Sequence, residues 1–177
     1  MHLRGWCDHL SLLFGITDQG AYMRCKRALG RLLPPSPRGH GRDLAPPEAV
    51  RALVIGFIPA RGGEWLAQAE RLLGAREFAA DPSGGWIATG SPETFETRMT
   101  TLLTGDSLGD VSEVWITGVV PWAEIVSKKG DSTLFAPSRD YRKGRRLILG
   151  LSAAQATVLS RSALESIAEW LRSEQTL

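Results

Sequence analysis

The chain has 177 residues, 43% of them hydrophobic, enough for one compact domain or two small ones and too apolar for wholesale disorder. No run approaches the roughly 18 apolar residues of a membrane span, and Asp8 and His9 interrupt the N-terminal apolar stretch where a signal peptide would continue, so a cytoplasmic protein without a membrane partner is expected. The net charge of +2 is unevenly placed, with 8 Lys/Arg against 4 Asp/Glu in residues 1–60 and 13 against 15 in residues 61–177. Such asymmetry suggests a polyanionic partner for the first third, although charge alone favours the plainer reading of a solvated helix face.

Residues 5–16 read as a short helix. Trp6, Leu10, Leu13 and Phe14 recur on one helical face. Gly15 is suited to the left-handed residue that ends a helix. Ile16 turns inward, and Thr17 and Asp18 supply an N-cap and a first-turn anion for a second helix over about 18–33. Ala21, Cys25, Ala28, Leu29 and Leu32 form its apolar stripe. Gln19, Gly20, Met23, Arg24, Arg27 and Arg31 fall on the other side. Two helices joined by Gly-Ile-Thr, the second with a basic outer face, make a helix-turn-helix pattern.

Prolines at 34, 35 and 37 end that helix. The following "RGHGRD" carries Arg38, His40 and Arg42 on a glycine-flexible loop, the position of the wing in a winged helix. An ordinary polar connector is the plain alternative. A third helix opens at Pro47 and Glu48 and continues through Val50, Leu53, Val54 and Phe57. Pro59 and "ARGG" mark a boundary, which divides the chain into modules 1–60 and 61–177.

Beyond it, residues 64–75 are amphipathic, "DPSGG" is a turn and "WIAT" (86–89) a short strand. Ser91 and Pro92 are a fitting N-cap and first residue for a helix to about 104, stopped by Gly105. Residues 112–127 read as strand, with Pro121 marking an edge or bend. "KKGD" (128–131) predicts a hairpin turn returning through 132–137. Further strands are expected at 145–151 and 156–160, and a final helix at 161–172. The expected fold class is α+β: an N-terminal winged helix-turn-helix-like module followed by a small mixed α+β domain with an antiparallel sheet.

Catalytic patterns are missing. No phosphate-cradling glycine motif and no nucleophile elbow occurs, so an enzyme is not expected. Cys7 and Cys25 fit no zinc spacing, and no metal or other cofactor is expected. For double-stranded DNA the residues offer more. Each Lys or Arg that neutralises a phosphate releases counterions, and Arg or Gln can pair with guanine or adenine edges. Gln19, Met23 and Arg24 are therefore placed near base edges. Lys26, Arg27, Arg31, Arg38 and Arg42 are placed on phosphates, and Tyr22 and His40 have phosphate-bonding groups in the same segment. A second basic cluster, "RDYRKGRR" (139–146), is either another backbone contact or a solvated loop. Six tryptophans are many for this length, and core packing or an interface would each account for them.

The order "LSLLFGIT…MRCKRALGRLLPPSPRGHGRDLAPPEAVRALVIGFI" resembles phage- and prophage-encoded transcriptional regulators of alphaproteobacteria with a MerR-like winged helix. The matching pieces are Leu12 to Ile16, Arg24 to Leu33, Arg38 to Arg42 and Pro46 to Leu53, about one third of the chain. The resemblance implies DNA binding in transcription control, commonly as a homodimer. The chain departs from MerR proteins in lacking a long coiled-coil helix after the module, and Gly20 sits inside the recognition-helix candidate. Two other readings stay open: a packaging component of the small-terminase type, and a protein-interaction module that inhibits a host factor.

Overall fold

The computed structural model describes residues 2–15, 18–35, 43–59, 62–80, 86–105, 108–118, 121–137 and 156–175. The expected wing with Arg38, His40 and Arg42, the turn at 81–85, the basic cluster 139–146 and the strand at 145–151 lie outside them.

The first helix, α1 (Leu3–Phe14), ends where expected. Gly15 adopts φ 62°, and its N–H reaches back to the carbonyl of Leu12. The second helix, α2 (Asp18–Ala28), is shorter than the predicted 18–33. Gly30 takes φ 79°, and the N–H groups of Arg31, Leu32 and Leu33 all converge on the carbonyl of Ala28. The left-handed glycine thus reverses the chain before the prolines are reached.

The third helix, α3 (Pro46–Phe57), starts with two prolines, whose missing N–H groups cost nothing in a first turn. The Glu48 carboxylate accepts from the Ala45 N–H at 2.9 Å. Eight of its residues are buried: Ala49, Val50 and every position from Ala52 to Phe57. A single turn of 3-10 helix (Gly62–Glu64) leads into α4 (Trp65–Leu73).

Six strands follow: β1 (Arg76–Ala80), β2 (Trp86–Ala88), β3 (Val111–Thr117), β4 (Ala123–Ser127), β5 (Ser132–Ala136) and β6 (Ala156–Ser160). Helix α5 (Phe95–Thr104) lies between β2 and β3, and α6 (Arg161–Gln175) follows β6. The sheet order is β2-β1-β5-β4-β3-β6, and every pairing is antiparallel. The architecture is α+β.

Three sequence expectations are corrected. The stretch 112–127 is two strands, because the chain turns around Pro121; Thr117 closes this corner with its N–H and its hydroxyl both on the carbonyl of Trp122. The N-cap of α5 is Thr94, whose hydroxyl accepts from Thr97 N–H, and not Ser91. The Phe95 N–H is tied to the carbonyl of Ala75, so the backbone stays extended until that point. Strand β1 was not anticipated, since "REFAA" holds one strongly β-favouring residue, Phe78.

One face of the sheet carries Val114, Ile116, Ala123, Ile125, Phe135 and Leu159 into a buried cluster with Phe95, Met99 and Leu103 of α5 and Leu164, Ile167 and Leu171 of α6. The same cluster continues without a break through α3 to Trp6 and Leu10 of α1. The segments on either side of residue 60 therefore share one core. The Trp6 indole N–H donates to the Ala49 carbonyl at 2.9 Å and ties α1 to α3 inside it. On the opposite face of the sheet Phe78, Trp122, Leu134 and Ala136 form a smaller cluster, with Trp86 and Trp115 half-buried beside it. Among the described residues no helix is long and apolar enough to cross a membrane.

Candidate nucleic-acid interface

Helix α2 packs on α1 and α3 through Ala21, Cys25 and Ala28, all buried. Three- and four-residue steps then leave Gly20, Met23, Lys26 and Arg27 on the solvent side, and all four are exposed. Met23 is 40% exposed. Lys26 and Arg27 occupy the last turn, where the carbonyl end of the helix favours cations. These residues form the coherent part of the expected surface.

The other candidates are placed differently. Gln19 lies in the first turn of α2. Tyr22 is half-buried, with the Arg4 guanidinium 5.6 Å from its ring centroid. Arg31 lies past the helix in the Gly30 turn and pairs with Glu70 at 2.9 Å; both side chains are more than half exposed, so the pair adds little stability. Arg24 is half-buried and turns away from the outer face. Its guanidinium donates to the carbonyl of Ile58 at 2.9 Å, at the C-terminal end of α3. Sequence reading placed Arg24 with Arg27 and Arg31 because the three share a helical spacing. It had no signal that the carbonyl end of α3 lies within reach.

Arg4 is a basic residue that the reading of the sequence passed over. It sits on α1, 71% exposed at its side chain, and is brought beside α2 by the Tyr22 contact. The signal available was its position in the first turn of the helix before the turn, which places it near the second helix.

Comparison with known proteins gives no matching family model, no matching curated protein and no matching solved structure. The chemistry is therefore carried by the residues themselves. Cys7 and Cys25 are buried free thiols where α1 meets α2. A hydrogen bond with Cys7, and then burial, hold the Cys25 thiol well above its usual pKa, so it stays protonated. Its thiol also donates to the Ala52 carbonyl at 3.4 Å, a packing role. Among the described residues no three His, Cys, Asp or Glu side chains are grouped so as to hold a metal ion.

Proposed function

We propose that this chain is a sequence-specific double-stranded DNA-binding protein, a phage-type transcriptional regulator acting as a dimer. The N-terminal segment works as a winged helix-turn-helix, with α2 as the helix that enters the major groove. One observation carries the reading: Met23, Lys26 and Arg27 stand side by side on the solvent face of α2, the helix that follows the Gly15 turn from α1. Lys26 and Arg27 supply phosphate contacts and counterion release. Met23 supplies an apolar contact to base edges, such as the thymine methyl. Arg4 adds charge from the neighbouring helix. In this reading Arg24 orients α2 on α3 and does not read bases.

Dimerisation is part of the proposal. One small module covers too little DNA for tight specific binding, and a two-fold pair corrects this. The face of the sheet turned away from α5 and α6 is the surface we assign to it, through its exposed or half-buried outer positions, since Phe78 and Leu134 at its centre are buried. Cross-strand register aligns Ala88, Phe78, Leu134, Glu124, Trp115 and Val158 in one row across all six strands. Trp115 in this row and Trp86 beside it are half-buried, and Val158 is 40% exposed. Aromatic residues of this kind are enriched at protein interfaces.

The test is selection from random-sequence duplex pools at two salt concentrations, followed by sequencing. The expected result is a palindromic motif whose affinity falls steeply as salt rises. No enrichment, and no duplex retained at low salt, would overturn the proposal and make the outer positions of that sheet face, around Trp115 and Val158, the place to seek a protein partner.

A further inference from the structure

A cleft of about 410 Å³ opens between one edge of α5, the segment that leads from α5 into β3, and the end of the β4–β5 hairpin. Its volume falls in the range of small-ligand pockets. Leu102, Leu108 and Ile125 line it with apolar surface. Thr133 is the cross-strand partner of Ile125, and Ile125 belongs to the core beneath α5, so the Thr133 side chain stands on that same face of the sheet.

Several polar groups that line this cleft are without hydrogen bonds. The hydroxyls of Thr101 on α5 and Thr133 on β5 have no partner, whereas every other threonine among the described residues has its hydroxyl bonded. The contrast holds within α5 itself, where Thr100 and Thr104 donate to the carbonyls four residues back and Thr101 does not. The Asp131 carboxylate has neither an ion pair nor a hydrogen bond. Arg98 has the Glu93 carboxylate at 3.7 Å, too far for a hydrogen bond, so its donors are open. Asp110, the remaining charged residue among the described ones lining the cleft, has Lys129 at 4.0 Å. Arg98 and Glu93 offset one another in charge, as do Asp110 and Lys129. What stays open is a fork of donors, one carboxylate and two hydroxyls that can donate or accept. A ligand that carries both charges meets all of them, and a simple anion or cation meets only some.

We infer that this cleft binds a small zwitterion with an aliphatic body, an aliphatic amino acid. Its carboxylate meets the Arg98 guanidinium, whose planar fork suits that group, and its ammonium meets Asp131. The Thr101 and Thr133 hydroxyls complete the hydrogen bonds of the two charged groups, and the aliphatic side chain lies on Leu102, Leu108 and Ile125. The inference is independent of whether α2 contacts DNA, and its test uses no DNA.

The full-length chain is titrated, with ligand-detected NMR as the readout, with leucine and with two analogues. Isoamylamine is leucine without its carboxylate, and 4-methylpentanoate is leucine without its amino group. The expected result is saturable one-to-one binding of leucine, with each analogue roughly tenfold weaker because it lacks one set of charge-assisted hydrogen bonds. Asp131→Asn should lower leucine to the affinity of 4-methylpentanoate, and Arg98→Gln should lower it to that of isoamylamine. Both side chains are exposed, so neither change threatens the fold. Thr101→Trp, at an exposed helix position, fills the cleft and should abolish binding with an unchanged circular dichroism spectrum, while Thr101→Ser retains it. No binding of leucine by the wild-type chain, equal binding by wild type and Thr101→Trp, or equal affinity for leucine and either analogue would overturn the inference.

Discussion

Helices α2 and α3 pack together and are nearly equal in length, 11 and 12 residues, yet they occupy opposite environments. Helix α3 buries eight residues and meets α1, α2, α4 and α5. Helix α2 buries Ala21, Cys25 and Ala28, half-buries Tyr22 and Arg24, and exposes Gly20, Met23, Lys26 and Arg27. A helix surrounded on all sides needs its terminal carbonyls satisfied by neighbours, because water is scarce there. Arg24 from α2 and Thr157 from β6 do this at the end of α3. One of the most basic-looking positions of the chain is thus consumed by its most apolar helix. The lesson is that a charged residue on a helical stripe belongs to whatever carbonyl end its neighbour presents.

The largest effect that would break this contrast is expected at the centre of α3. Leu53 is fully buried, and Leu53→Ala should cost about 2–5 kcal/mol in chemical denaturation, from lost transfer energy and the cavity left behind. A cost below about 1 kcal/mol would mean that α3 is not the hub of the core. Next comes Arg24→Gln. Loss of the charged donor from the α3 carbonyls should lower stability by about 1–2 kcal/mol. An unchanged midpoint would return Arg24 to the solvent face and to the list of DNA contacts.

The two glycines sharpen the comparison with opposite signs. Gly56→Ala should destabilise by about 1 kcal/mol, since the Ala21 Cβ at 3.2 Å is held by the backbone and cannot swing aside. Gly20→Ala should stabilise by about 0.5–1 kcal/mol through helix propensity, with open space for the new methyl. Thermal melts of the two variants, read against wild type, check both signs. On the outer face of α2, Met23→Ala and Lys26→Ala should each change stability by less than about 0.5 kcal/mol. Under the DNA proposal, Lys26→Ala should reduce the salt slope of duplex binding by about one and leave sequence preference intact. An unaltered slope would remove Lys26 from the interface.

A pH titration tests where α1 meets the C-terminal helix. The His9 ring stacks on Trp170 of α6 at 5.0 Å and lies 6.3 Å from Trp6. Burial lowers its pKa from the usual 6.5, so the folded state favours the neutral imidazole. Below about pH 6.5 the unfolded chain takes up a proton that the folded chain resists, and stability should fall from there toward the lower folded-state value. Denaturation midpoints of wild type should decline over that window, and those of His9→Gln should decline less. Parallel curves would show that the stacked ring is not the source.

Features set by neighbouring residues were legible in the sequence alone. Gly15 ends α1 in the left-handed conformation and the turn after Ser127 returns β4 into β5, as local chemistry dictates, while Gly105 follows α5 in an extended conformation open to any residue. The apolar periodicity of α1 likewise anticipated the face that Trp6 and Leu10 bury, whereas α3 is buried well beyond its predicted Val50, Leu53, Val54 and Phe57 face. Contacts between distant segments decided the rest. Strand β1 forms because β5 and β2 flank it, not because "REFAA" favours a strand. The start of α5 waits at Thr94 because the Phe95 N–H is bonded to Ala75. Arg24 faces the carbonyls of α3 because α2 crosses that helix end, a partner 34 residues away that no periodicity encodes. Helical spacing fixes which residues share a face, whereas only packing determines whether that face meets water, carbonyl oxygens or another chain.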